Sequence, residues 1–144
     1  MVMPKKFSII KPSADTPFHI DFAWWKENDN NWRIFLLDYL CPEHQKLFEN
    51  TTDEELIDWV DPMTAEIRRT DGIQHVLMSH CAQQPGFVTI NTAMVDAVFR
   101  IFLSNGNTPL TPAQLSEMVA QPASKILQTF GGFRIYKGIR PYIN

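Results

Sequence analysis

The chain has 144 residues, 44% of them hydrophobic and 20% charged, with a formal net charge of −3. That is the composition of a soluble globular protein, long enough for one ordinary domain or two very small ones. It excludes a membrane span, because no apolar run is long enough, and a disulfide framework, because the two cysteines, Cys41 and Cys81, lie far apart.

The first 17 residues hold Pro4, Pro12 and Pro17 without hydrophobic periodicity and are expected to form an extended arm. Their longest apolar run before Lys11 is four residues, too short for a signal-peptide core, so reduced thiols in a cytoplasmic protein are the expectation. Next comes "FHIDFAWWKENDNNWRIF", dense in aromatics. Adjacent Trp24 and Trp25 on a helix cannot both point into one small core, which makes one of them a candidate protein-interface anchor, beside the alternative that Trp25 packs in the core and Trp24 lies beneath the N-terminal arm. "WRIFLLDYL" (residues 32–40) carries apolar residues at helical spacing.

Residues 52–73, "TDEELIDWVDPMTAEIRRTDGI", are then echoed by residues 111–132, "TPAQLSEMVAQPASKILQTFGG", at an offset of 59. The echo pairs Leu56 with Leu115, Val60 with Val119, Ile67 with Ile126 and Gly72 with Gly131. Each copy opens on a capping-box pattern, Thr52 with Glu55 and Thr111 with Gln114. In each, a short helix is expected to end near Val60 or Val119, a proline follows, and a further helix closes on glycine. A helix also precedes each copy: residues 32–40 and 94–103 share Arg-Ile-Phe-Leu, here at an offset of 67. The eight extra residues of the first copy fall around "CPEHQKLFEN" and read as a loop insertion. After each copy the pattern turns strand-like, in runs 73–81 and 87–90 and again in residues 133–142, with a hairpin turn at Lys137–Gly138.

The order helix, helix, turn, helix, hairpin resembles the winged helix, the helix-turn-helix variant with a β-hairpin wing. The resemblance covers about 125 residues and rests on element order and duplication rather than on a sequence motif. It implies a mainly α fold with small β-hairpins (α+β), in two tandem winged-helix units at residues 18–91 and 92–144. It also implies that the third helix of a unit can enter a DNA groove while the wing touches backbone. In the second unit Ala123, Ile126, Leu127 and Phe130 should face inward, leaving Ser124, Lys125, Gln128 and Thr129 to reach bases or phosphates. Arg134, Lys137 and Arg140 would ride on the wing, and Arg68 and Arg69 are the paired cations of the first unit's third helix.

Charge separates the two copies. Residues 21–71 hold thirteen acids and five bases, net −8, whereas residues 72–144 hold two acids and five bases, net +3, with no acid beyond Glu117. The leading expectation is therefore a regulator or accessory factor that binds nucleic acid, most simply double-stranded DNA, through the second unit. The alternative is a protein–protein scaffold that does not touch DNA, suited by the acidic segment and the tryptophans. A homodimer exchanging the N-terminal arm is a third reading.

Catalysis is not expected: no P-loop, dinucleotide fingerprint, nucleophile elbow or metalloprotease motif is present. Cys41 and His44 have C-x-x-H spacing, and His80 and Cys81 are adjacent, so four zinc-type ligands exist. With residues 73–81 taken as a strand, however, His80 and Cys81 would point to opposite faces. On that basis neither a metal nor any other cofactor is expected.

Overall fold

A computed structural model describes residues 11–48, 56–60, 67–89 and 91–143. Among the described residues the chain is mainly helical with two small two-stranded antiparallel sheets, an α+β arrangement. In order the elements are β1 (Phe18–Ile20), α1 (Phe22–Asn28), α2 (Trp32–Leu37), α3 (Pro42–Phe48), β2 (Leu56–Val60), β3 (Ile67–Asp71) and α4 (Gly72–Ser79). A 3-10 turn at Cys81–Gln83 leads to α5 (Met94–Ser104), α6 (Pro112–Val119), α7 (Ala123–Phe130) and β4 (Ile139–Pro141).

The three C-terminal helices form as their sequence requires. Around α5, Val98, Phe99, Phe102 and Leu103 have no exposed surface, so this helix is the central pillar of the core. Helix α6 starts on a complete capping box. The Gln114 backbone N–H donates to Thr111 Oγ1 at 3.1 Å, and the Thr111 backbone N–H donates to Gln114 Oε1 at 2.9 Å. Pro112 occupies the first turn, where its missing N–H has no helical partner to lose. The helix stops at Ala120 in a left-handed conformation, and Pro122 then opens α7. Leu115 of α6 and Ile126 and Phe130 of α7 are buried, which fixes both helices on the shared core.

The N-terminal strand closes the structure. β1 pairs antiparallel with β4, Phe18 opposite Pro141 and Ile20 opposite Ile139, while Phe18 also bridges to Leu110. Asn107, with φ of 60°, completes the edge. Its amide accepts from Ile20 N–H and donates to Ile20 C=O, both at 2.8 Å, doing with a side chain what a further strand residue would do. One buried cluster runs from Phe18 and Ile20 through Trp25, Trp32, Leu36, Ile73 and Leu77 to Phe99, Leu115, Ile126 and Ile139, so both halves of the chain share a core.

Several expectations fail here. Residues 56–60 and 67–71, expected in two helices of a first winged-helix unit, are strands that pair as a hairpin, with Leu56 opposite Asp71 and Val60 opposite Ile67. The Leu56/Val60 spacing fits a helix face, but this β-rich run finds a strand partner instead. The proposed cap at Thr52–Glu55 lies outside the described residues. Gly72 opens a helix rather than closing one. The run read as a strand at 73–81 is mostly α4, whose buried Ile73 and Leu77 and the following Cys81 recur every four residues, a helical stripe. No strand covers residues 87–89.

The C-terminal wing is corrected as well. The Tyr136–Ile139 turn does form: Ile139 N–H donates to Tyr136 C=O at 3.0 Å, with Lys137 and Gly138 both at positive φ. Residues 133–136 do not run back as a strand, however, and β4 takes β1 as its partner. Of the N-terminal arm, residues 13–16 form a turn in which Thr16 N–H donates to Ser13 C=O at 3.0 Å.

Candidate functional site

Two features stand out: the outer face of α7, and a cluster of cysteine and histidine side chains where α3 meets the end of α4.

Helix α7 turns Ile126 and Phe130 into the core and leaves Ser124, Lys125 and Gln128 exposed on the opposite side. Thr129 is half-buried, and its hydroxyl donates to the Lys125 carbonyl at 2.8 Å, so its proton is already used within the helix. The cations expected on a wing fare differently. Arg134 is exposed, with its guanidinium 5.5 Å from the Tyr136 ring centre. Lys137 is half-buried, its ammonium 5.3–5.8 Å from the ring centres of Phe35, Tyr39 and Phe99. Arg140 is tied to Asp21 by a 3.1 Å ion pair and lies over Trp24. Arg68 and Arg69 stand on β3, opposite Trp59 and Asp58 of β2, and so are not on a recognition helix at all.

The tryptophans follow the core alternative rather than the interface one. Trp25 is 3% exposed and serves as the hub of an aromatic cluster with Phe22, Trp32, Phe35 and Phe99. Trp24 is half-buried against the core beneath Arg140. The exposed large apolar side chains lie elsewhere, with Phe133 fully exposed and Ile143, Leu47, Ile34 and Met118 more than half so.

The second feature is one that the strand reading had set aside. Cys41, His44, His80 and Cys81 converge so that one donor atom of each lies within 4.8 Å of all the others. Cys41 Sγ is 3.1 Å from His44 Nδ1, 3.9 Å from His80 Nδ1 and 3.4 Å from Cys81 Sγ, and Cys81 Sγ is 3.6 Å from His44 Nδ1. The two imidazoles meet edge to face, with centroids 4.5 Å apart. Local structure explains the convergence. Cys41 immediately precedes α3, and His44 lies three residues on, so helical spacing stacks them on one face. His80 and Cys81 sit where α4 passes into the 3-10 turn, and successive side chains there diverge by about 100° rather than the 180° of a strand. The strand geometry that would separate His80 from Cys81 does not form.

The surroundings hold both ligand pairs in place. Leu40 precedes Cys41 and Ala82 follows Cys81, and both are buried in the core. Tyr39 donates its hydroxyl to Asp96. Arg100 donates to the other oxygen of Asp96 at 2.8 Å and to the Phe87 carbonyl at 3.0 Å. This bridge joins the segment before Cys41 to the loop after Cys81 through α5. Burial, with the acceptor Asp96 second, holds the Tyr39 phenol well above its ordinary pKa, so it remains a donor. Burial also pushes the Cys81 thiol up to about 11, with the Cys41 sulfur adding to the effect. Neither cysteine is in a disulfide.

Among the described residues no helix is long and apolar enough to cross a membrane. Comparison of the chain with protein-family models, with curated proteins and with solved structures gave no match.

Proposed function

We propose that the protein binds nucleic acid, double-stranded DNA in the first instance, as a non-enzymatic regulator or accessory factor, and that α7 is the helix that meets the duplex. The observation that carries this reading is the outer face of α7. Ser124, Lys125 and Gln128 are exposed on a helix whose opposite side is fixed by buried Ile126 and Phe130, in a stretch with no acid beyond Glu117. Only a single winged-helix-like unit is proposed, made of α5, α6, α7 and β4, with the β1–β4 pair standing where a hairpin wing would be. The free thiols suit a reducing compartment such as the cytoplasm.

The proposed footprint is narrower than the sequence suggested. Arg140 is neutralised by Asp21 and Lys137 is folded onto three aromatic rings, which leaves Lys125 and Arg134 to meet phosphate. Two phosphate contacts give weak, salt-sensitive binding, with Kd in the roughly 1–100 µM range of non-specific complexes.

A protein partner is the second reading, favoured by one specific observation. Phe133, three residues beyond α7, is a fully exposed large aromatic, as expected of an interface anchor. Hydrogen exchange of the full chain with and without a 30-base-pair duplex separates the two. Protection gained at residues 123–134 supports α7 as the DNA contact. Unchanged exchange there, at duplex concentrations above about 100 µM, removes it.

A further inference from the structure

We infer that Cys41, His44, His80 and Cys81 form a structural zinc site that staples the start of α3 to the end of α4. The donor set is the first argument. Two cysteine sulfurs and two imidazole nitrogens, each able to face one central point, are the Cys2His2 set that tetrahedral Zn2+ takes in structural sites. With Zn–S near 2.3 Å and Zn–N near 2.0–2.1 Å, a tetrahedron sets donors about 3.8 Å apart for two sulfurs and about 3.6 Å for sulfur and nitrogen. The observed separations of 3.4 Å between sulfurs and 3.1, 3.6 and 3.9 Å between sulfur and nitrogen lie within about 0.5 Å of those values, and no two of the four donors are more than 4.8 Å apart.

The charge balance is the second argument. On binding, each thiol gives its proton to solvent, and the two thiolates with two neutral imidazoles leave a neutral complex around Zn2+. A disulfide between Cys41 and Cys81 would use neither histidine, yet both Nδ1 atoms point at the sulfurs. Four protein ligands also close the coordination shell, leaving no position for substrate water, so the site's role is to hold structure.

Topology says what is held. The two ligand pairs bracket residues 45–79, which include the β2–β3 hairpin, and anchor both ends of that excursion against α5 through Leu40, Ala82 and the Tyr39–Asp96–Arg100 bridge. The first pair falls inside "CPEHQKLFEN", the segment that breaks the internal echo. That segment supplies two of the four donors and α4 with its following turn supplies the other two, and the inference does not depend on what α7 binds.

The test is metal analysis of the full chain, purified under reducing conditions without chelator from zinc-supplemented cells. About one zinc per chain is expected, as is an intense visible absorption with thiolate-to-metal charge transfer when cobalt replaces zinc, the signature of a tetrahedral sulfur-containing site. His44→Ala should weaken zinc binding by more than the roughly 10–100-fold that losing an outer-shell partner costs. His44→Cys keeps a tetrahedral set and should retain the metal, with charge-transfer intensity raised by a third thiolate. That gain cannot come from general destabilisation. Metal-free protein with two reactive thiols and no tetrahedral cobalt spectrum would overturn the inference. So would a Cys41–Cys81 disulfide in the isolated protein, or a charge-transfer band unchanged by His44→Cys.

Discussion

Gly138→Ala and Gly106→Ala make a matched pair that tests how the aromatic hub fixes the C-terminal turn. Both glycines have left-handed backbone, with φ of +73° and +72°. Alanine at either position therefore suffers a penalty of roughly 1–2 kcal/mol, partly offset by the roughly 0.4–1 kcal/mol gained from a stiffer unfolded chain. What surrounds them differs. A Cβ at Gly106 would meet nothing within 4 Å, whereas at Gly138 it would lie 3.2 Å from Trp25 Cβ and 3.3 Å from Trp25 Cγ. Trp25 has nowhere to go: its ring is held among Phe22, Trp32, Phe35 and Phe99, and its indole N–H donates to Asp29 at 3.3 Å. Forcing a methyl into such a site adds about 1–3 kcal/mol. The expected losses are then about 0.5–1 kcal/mol for Gly106→Ala and about 2–4 kcal/mol for Gly138→Ala. At about 3 °C per kcal/mol for a chain of this size, thermal unfolding followed by circular dichroism should show Tm falling by about 2 °C and about 9 °C. Equal losses in the two variants would refute the claim that Trp25 is wedged immovably beneath the turn that carries Lys137.

Three further outcomes are expected. Thr111→Ala removes the Oγ1 acceptor of the α6 capping box, keeping only the backbone N–H bond to Gln114 Oε1, and should cost about 1 kcal/mol in chemical denaturation, with an unchanged m-value. Burial, reinforced by Arg140 and opposed by Asp21, lowers the folded-state pKa of His19, so the unfolded chain takes up the proton first. Stability is then complete above the ordinary histidine pKa and declines as pH falls through it, so His19→Gln should lose less stability than the wild type between about pH 7 and about pH 5. Removing zinc with a chelator should lower Tm reversibly, because a ligand at a hundred times its Kd contributes about 2.7 kcal/mol, and re-addition of zinc should restore it.

The C-terminal helices were legible because their information is local. The Thr111/Gln114 box, Pro112 and the Ile126/Phe130 spacing are all contained within one or two turns. The first half was misread through the same echo that made the second half clear. The Leu56, Val60 and Ile67 matches carried a helical pattern onto residues that pair as β2 and β3. The turn at Lys137–Gly138 was visible from its residues, but its strand partner was not, since β4 pairs with β1 more than a hundred residues earlier. The cysteine–histidine cluster is not legible while residues 73–81 are taken as a strand, because a strand sends His80 and Cys81 to opposite faces. The signal that would have rescued them is the four-residue spacing of Ile73, Leu77 and Cys81, which marks a helix running into the site. Arg140 and Lys137 looked free because sequence shows charge but not the carboxylate of Asp21 or the rings that receive it.

The most direct measurement of the α7 reading is fluorescence anisotropy of a labelled 30-base-pair duplex, titrated with the wild-type chain and with Lys125→Ala/Arg134→Ala across a salt series. Each phosphate neutralised contributes roughly −0.9 to the slope of log K against log salt, so the wild type should give about −2 and the double variant a slope near zero. An unchanged slope in the double variant, or no binding by the wild type at the lowest salt, would contradict the proposal that α7 and Arg134 meet the DNA backbone.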